Sequence, residues 1–539
     1  MDAPDRPAPG GPRDHRAGRT RVAAALREET RLPADLRVVH VAAGLTVLWT
    51  LLLLVPSAQT ARALGPHLLF LDTAGFGALF AVALILVERT ERTDAVRRVS
   101  PLRPVEAVLC RILPLTLLTC AMAVPIALAA TRPAGPAEAL RVGLGAPMAV
   151  APVAALLLAC CLAAGTRART LPGVVMGALP FLVPLLVVPV AHLLGVLGHP
   201  LAHLVPTTAG ARLIESSVTG APPAGGVLPA LLWAWIGAAL AAVAATRALG
   251  APPPHRTRFP RHSRIHRPRT VHRPRTERRP RRGAGGRITA LLAPTGPFRD
   301  PLPWLAVAAP LLTALALRPL WPAVVETVAD RYGIDLVPHT PTVFAALILL
   351  HVPVTVGTVI ALRWVEDAEE GLPRLVRVAP VPAGLPLLLW LVAAWGFSLL
   401  VLTAAIPLSG LAPVPGTESL SAAFLAAPMA PLLVAVVAAT ATNRVEALVV
   451  TKAAGALSVG VPVAAALLPA PVGAVMGLLP PTWPLLVLAD TDGTVFPALA
   501  GLAVRVPAPA AVTVPAGVLA ALLLCVLPVR RALTRGPAA

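Results

Sequence analysis

The chain has 539 residues, of which 56% are hydrophobic and only 13% charged, and its mean hydropathy is +0.76. A soluble domain carries about 25% charged residues, so a soluble enzyme or binding module is excluded and the class is an all-α integral membrane protein. The net charge of +20 does not point to nucleic acid, because the arginines crowd into a few segments between apolar runs, as the positive-inside rule produces.

The chain opens with a polar, Arg-rich segment, residues 1–37, that has no short cleavable signal pattern and is expected on the cytoplasmic side. A span needs about 20 apolar residues, and reading for that length gives about twelve candidates. The first six are 38–55, 68–87, 107–130, 140–164, 171–197 and 227–246. The second six are 302–320, 342–364, 385–408, 420–440, 447–468 and 510–529. Run 302–320 ends in Arg-Pro, and the stretches after Leu197 and Leu468 have the character of short re-entrant segments. With the chain starting inside, the intervening segments at 88–106, 165–170, 247–301, 365–384, 441–446 and 530–539 are also inside and hold most of the arginine. The outer segments hold scattered ones such as Arg62, Arg132 and Arg331. The expected organisation is a cytoplasmic segment 1–37, a membrane unit 38–247, a linker 248–300, a second membrane unit 301–529 and a cytoplasmic tail 530–539.

The linker is a separate composition. Residues 255–286, "HRTRFPRHSRIHRPRTVHRPRTERRPRRGAGG", are basic, Pro-rich and without apolar periodicity, so this segment cannot build a core of its own. A tether between two halves, with affinity for anionic lipid heads, is the expected role.

The two halves echo one another. "VERTERTDAVRRVSPLRP" at 87–104 has a counterpart in "VEDAEEGLPRLVRVAPVP" at 365–382; each starts Val-Glu at the end of an apolar run, turns from acidic to basic, and is followed by a new run. "APM" recurs at Ala146 and Ala427, "GAL" at Gly177 and Gly455, and "LVPTT" at Leu204 faces "LLPPTW" at Leu478. Two units of six spans in the same orientation follow from an even span count. The first loop copy predicts a short helix from Glu88 to about Val99, with acids in its first turns and Arg97 and Arg98 at its end, as the helix dipole favours; Ser100-Pro101 then stops it.

This loop resembles the coupling-helix region of ABC-2-type transporter permeases, such as the drug-export permeases of actinobacteria. The resemblance implies two tandem six-helix repeats with both termini cytoplasmic, and an amphipathic helix before the first span. It also implies a coupling helix between spans two and three that docks on a separate ATP-binding subunit. It assigns docking in the first loop to Glu88, Arg97, Arg98, Ser100, Pro101 and Arg103. In the second loop it assigns Glu366, Glu369, Glu370, Arg374, Arg377 and Pro380. The second copy departs: Ala379 stands for the Ser, Pro382 for the Arg, and Gly371-Leu372-Pro373 interrupts the helix. One chain with both units implies an ATPase dimer as partner, with the ATP and Mg held there, and export of an unidentified hydrophobic, drug-like or lipid-like compound across the cell membrane.

The chain itself shows no Walker A motif: its only Lys, Lys452, stands in "VVTKAAG" without a Gly-rich loop before it. No HExxH, GxSxG or carboxylate pair points to an enzyme, and no cofactor or metal is expected. The five Cys, with no CxxC pair, are small buried hydrophobes. His192, His199 and His203 fall at helical spacings, but Gly198 and Pro200 break that helix. His351 lies mid-run and is a candidate pathway residue, with a carbonyl-bonded neutral His as the plain alternative. Asp72, Arg111, Arg363 and Lys452 lie near run ends, from which they can reach water. Two other classes stay open: a proton-coupled secondary carrier of the major-facilitator type, which needs a mid-span carboxylate, and a non-transport membrane scaffold or lipid-processing enzyme.

Overall fold

The computed structural model describes residues 13–35, 38–74, 76–77, 80, 102–167, 171–250, 301–371, 382, 384–414, 416–489, 495–505 and 510–534. Every described element is helical. Among the described residues, eight helices are long and apolar enough to cross a membrane, and a bent pair, Arg21–Ala34 with Val38–Leu54, meeting at 59°, makes a ninth candidate.

In the first half, α1 (Arg13–Asp35) leads into α2 (Val38–Leu54) and α3 (Ala58–Leu68), which continues as a π-helical segment, Leu69–Ala74. Four longer elements follow: α4 (Pro104–Thr131), α5 (Pro136–Arg167), α6 (Leu171–Leu193) and, after a 3-10 turn at Pro200–Leu204 and α7 (Pro206–Thr219), α8 (Val227–Gly250). The second half starts with α9 (Pro301–Tyr332); α10 (Thr340–Phe344) then runs through a second π-helical segment, Ala345–Leu349, into α11 (His351–Glu369). Next come α12 (Leu385–Ser409), α13 (Gly416–Ala426), α14 (Met429–Thr440) and α15 (Arg444–Leu467). Two short helices, α16 (Gly473–Met476) and α17 (Trp483–Leu486), with α18 (Pro497–Arg505), precede α19 (Ala510–Thr534). Both halves thus place short, Pro-led helices before their last long one, where the sequence predicts re-entrant stretches.

α5 is the centre of the first half, packed by α4, α6, α7 and α8; α11 is the centre of the second, packed by α9, α12, α14 and α15. The halves meet where α2 lies on α15 and α6 touches α9. The outer helices are inverted relative to a soluble protein. Leu228, Leu232, Ile236 and Leu240, four residues apart on α8, are 66%, 55%, 46% and 66% exposed. A continuous apolar stripe of this kind suits hydrocarbon and not water.

Local chemistry explains where elements begin and stop. Ser57 caps α3, its Oγ accepting from the Thr60 amide at 3.2 Å. Pro104 opens α4, and the Arg103 amide donates to Glu106 Oε2 at 2.9 Å. Two arginines close helix ends: the Arg132 guanidinium donates to the carbonyls of Leu53, Leu54 and Pro56 at 3.0, 2.9 and 2.6 Å, satisfying the C-terminus of α2. Arg62 does the same for the Thr131 carbonyl of α4, at 3.2 and 3.1 Å.

One boundary departs from the sequence expectation. The run 302–320 does not end at Arg318-Pro319; α9 continues through Pro319 and Pro322 to Tyr332. Proline costs a helix one amide donor, and in a membrane bundle neighbours compensate, so the helix runs on.

Candidate transport and docking sites

The first predicted docking loop falls largely outside the described residues: Glu88, Arg97, Arg98, Ser100 and Pro101 all do, as does the short helix expected there. Arg103 is described, at the start of α4, where it precedes Pro104. In the second loop Glu366, Glu369 and Glu370 are described, while Arg374, Arg377 and Pro380 lie outside.

Glu366 and Glu369 are engaged within the chain. Arg444 Nη1 lies 3.3 Å from Glu366 Oε1, and its Nε lies 2.7 Å from Glu369 Oε2, an ion-pair contact off the hydrogen-bonding direction. The Arg444 amide donates to Glu369 Oε1 at 3.1 Å, so this carboxylate also sits at the positive N-terminus of α15. Asn443 caps the same helix, its Oδ1 accepting from the Glu446 amide at 2.9 Å. On the other side Arg363 Nη1 donates to Glu366 Oε2 at 2.8 Å. Glu366 and Arg444 are 5% and 7% exposed, so this is a buried network tying α11 to α15. Glu370, one residue beyond, remains exposed.

The equivalent end of the first half is held by α1. Arg21 Nη2 lies 3.4 Å from Glu106 Oε1, and Arg111 Nε lies 3.6 Å from Glu29 Oε1. The side chains of Arg111 and Glu29 are 9% and 10% exposed, so Arg111 is buried against α1 rather than reaching for water.

A second polar site lies between the halves. Asp72, on the first π-helical segment, is 7% exposed. Its Oδ2 accepts from Trp49 Nε1 at 2.8 Å, and its Oδ1 forms an ion pair with Lys452 of α15. Lys452 stands about 12 Å along α15 from Arg444, at 1.5 Å per residue. The sequence reading places Asp72 and Lys452 near water; the fold instead pairs them in the interior. The signal that could have flagged them was available: an isolated acid in an apolar run, and the only Lys of the chain in another.

A third polar group joins the halves at the other end of α9. Arg331 pairs with Glu215 of α7, Tyr332 Oη donates to Glu215 Oε1 at 3.4 Å, and Gln59 Nε2 donates to the Tyr332 carbonyl at 2.6 Å. His351 opens α11 after the second π-helical segment and is exposed on the helix surface. His192 bonds through Nδ1 to the Leu197 carbonyl at 3.0 Å and meets His203 edge-on, ring centroids 5.0 Å apart. His203 is held below its ordinary pKa by lost hydration, then by Arg212 and His192. Among the described residues, no three His, Cys, Asp or Glu side chains are grouped to hold a metal ion.

Among the described residues, long apolar helices with ion pairs at their ends and between the halves make a multi-pass membrane bundle. Residues 295–523 match the family described as "Fluoroquinolones export permease protein Rv2686c-like". Among curated proteins, the fluoroquinolones export permease protein Rv2686c of Mycobacterium tuberculosis strain H37Rv is 29% identical over 213 residues, 39% of this chain and 84% of that protein. The protein MT2760 of the CDC 1551 strain, with the same description, aligns with the same identity and coverage. The resemblance to ABC-2-type export permeases therefore holds over part of the chain, and the chain is a multi-pass membrane protein related to drug-efflux permeases.

Proposed function

We propose that this chain is the membrane-spanning subunit of an ABC exporter, moving an amphipathic compound outward at the expense of ATP hydrolysed by a separate ATPase. The observation that carries the reading is the match of residues 295–523 to an export permease family. In this reading the chain is two six-span units of about twelve spans, with both termini and the linker cytoplasmic, in the cell membrane. The partner is an ATPase dimer that holds the ATP and Mg, and the chain itself contributes no catalysis. The first loop docks through Glu88, Arg97 and Arg98. In the second, Glu366 and Glu369 act by fixing α11 to α15 through Arg444, and Glu370 with Arg374 and Arg377 faces the partner. Substrates are drug-like amphiphiles, in keeping with the fluoroquinolones named for the relatives.

The test is purification of the full chain from its native host, followed by an ATPase assay on the eluate. The expected outcome is a stoichiometric ATP-binding protein that is lost on reversing Arg97 and Arg98 to Glu. A chain that purifies alone and carries no associated ATPase activity overturns the reading. One observation favours a secondary carrier instead: Asp72 is a buried carboxylate of the kind that such carriers protonate. Transport by the lone chain driven by a proton gradient, abolished by Asp72→Asn, would establish that alternative.

A further inference from the structure

We propose that Asp72 and Lys452 are the binding site for the charged groups of a zwitterionic amphiphile, whose ammonium takes the place of Lys452 beside Asp72 while its carboxylate takes the place of Asp72 beside Lys452. The proposal rests on the export reading above and adds to it the two residues that hold the ligand's two charges.

Three features carry it. The first is position. Asp72 belongs to the first half and Lys452 to the second, and α2, which supplies Trp49, is the helix that lies on α15. A pathway that opens between the halves at this level parts this pair. The second is energetics. Removing one partner of a buried ion pair is strongly unfavourable, because an uncompensated charge is left in a low-dielectric interior. A ligand bearing both charges replaces both partners at once and adds no net charge to the membrane. A neutral ligand replaces neither, and a singly charged one leaves either Asp72 or Lys452 bare. A ligand shifts an opening equilibrium only by its differential affinity for the open state, and the exposed pair supplies that difference for a zwitterion alone.

The third feature is the chemistry of the two side chains. The Trp49 N–H holds Asp72 Oδ2 and thereby keeps the carboxylate oriented, leaving Oδ1 for a cation. The Trp49 indole is itself buried, 4% exposed, so the donor is fixed in place. Lys452 keeps 22% of its side-chain surface accessible against 9% for Asp72, so the lysine is the more accessible partner. The chain uses Arg nearly everywhere, and its only Lys stands here. An ammonium on a flexible stem can turn from one carboxylate to another, whereas a guanidinium holds its fork geometry. The π-helical turn that presents Asp72 is a form that recurs at functional sites.

The experiment measures binding to the full-length chain in lipid nanodiscs. The probes are a zwitterionic fluoroquinolone, read by its own fluorescence, an anionic quinolone without the basic amine, and a cationic aromatic amine without the carboxylate. The unaltered chain is expected to prefer the zwitterion by about tenfold or more. Asp72→Asn loses that preference and gains affinity for the anionic quinolone. Lys452→Met loses it and gains affinity for the cationic amine, while Lys452→Arg, which keeps the charge but not the flexible ammonium, retains a reduced preference for the zwitterion. Trp49→Phe, which removes only the N–H donor, weakens zwitterion binding several-fold and controls for variants that do not fold. Equal loss of all three probes in Asp72→Asn and Lys452→Met, with no reciprocal gain, would mean a structural pair and overturn the proposal. So would unchanged zwitterion binding in both, or no preference in the unaltered chain. Binding needs no ATPase: absence of an ATPase partner with the reciprocal switch intact would sink the export reading and leave this site standing. A partner found without the switch would do the reverse.

Discussion

The two halves secure their charged ends by different means. In the first half a separate helix does it: α1 lies along α4 and supplies Arg21 to Glu106 and Glu29 to Arg111. In the second half the loops do it themselves, with Arg444 at the head of α15 gripping Glu366 and Glu369 at the foot of α11. Both arrangements act within one half. The contacts between halves lie elsewhere, at Asp72 with Lys452 and at Glu215 with Arg331. Charge at the loop ends therefore makes each half one body, while charge at the other levels joins the bodies. Any relative motion of the halves must break the second kind of contact and need not break the first.

The largest effect is expected where the within-half network is most buried. Arg444→Leu leaves Glu366 buried with Arg363 alone and Glu369 without its cation, and breaking a buried pair costs about 3–5 kcal/mol. The check is chemical unfolding of the full chain in detergent. The double variant Arg444→Leu with Glu366→Gln should cost clearly less than the two single costs added together, because the two share one interaction. Additive costs would mean that Arg444 acts through Glu369 and the helix end alone.

A smaller loss tests whether helix ends, rather than ion pairs, hold the first half. Arg132→Ala removes a cation from three carbonyls at the end of α2. Hydrogen bonds to charged groups contribute about 1.5–3 kcal/mol, and a loss in that range is expected in the same unfolding measurement. The second half offers a comparison built on packing. At Gly357 of α11 an added Cβ would sit 2.9 Å from the Ala430 carbonyl oxygen of α14, a close approach that only a small residue permits. Gly357→Ala is expected to cost about 1–3 kcal/mol through overpacking. Its loss should not depend on salt, unlike that of Arg132→Ala.

Much of this architecture is legible in the chain because hydropathy and loop charge act over long stretches. The membrane class, the positions of the long helices, the breaks at Gly198 and Pro200 and the recurrence of "APM" all come from local pattern. The recurrence also shows where pattern stops informing. Pro147 lies inside the continuous α5, while the matching Pro428 separates α13 from α14, beside the close contact at Gly357. The same three letters give a helix or a break according to what packs against them. Pairings between distant residues are less legible still. Asp72 and Lys452 are far apart in sequence, and hydropathy assigns each only a depth, not a partner. The outer arginines read as orientation signals, and their second use, closing the C-termini of α2 and α4, depends on how helix ends meet in space. The loop that most resembles a coupling helix in sequence falls on residues outside the described structure, while the family match falls on residues 295–523, the half whose loop departs more. A short motif and a whole-length helical pattern are different signals, and here they mark different halves.

The smallest effect on stability should come with a clear effect on motion. Arg331 is 38% exposed at its side chain and pairs with Glu215 across the halves. Exposed pairs contribute only about 0–1 kcal/mol, so Arg331→Ala should leave the unfolding curve nearly where it was. It nevertheless removes one of the contacts that join the two bodies, and a two-state equilibrium responds to small differences: 1.4 kcal/mol is tenfold in population. Spin labels placed one in each half at the end of the molecule that carries Tyr332 should report a broadened or longer distance in Arg331→Ala, and an unchanged one in Arg21→Ala, which breaks a contact within the first half only. If Arg21→Ala shifts the inter-half distance as much as Arg331→Ala does, the division between contacts that build each half and contacts that join them does not hold, and the halves move as one bundle.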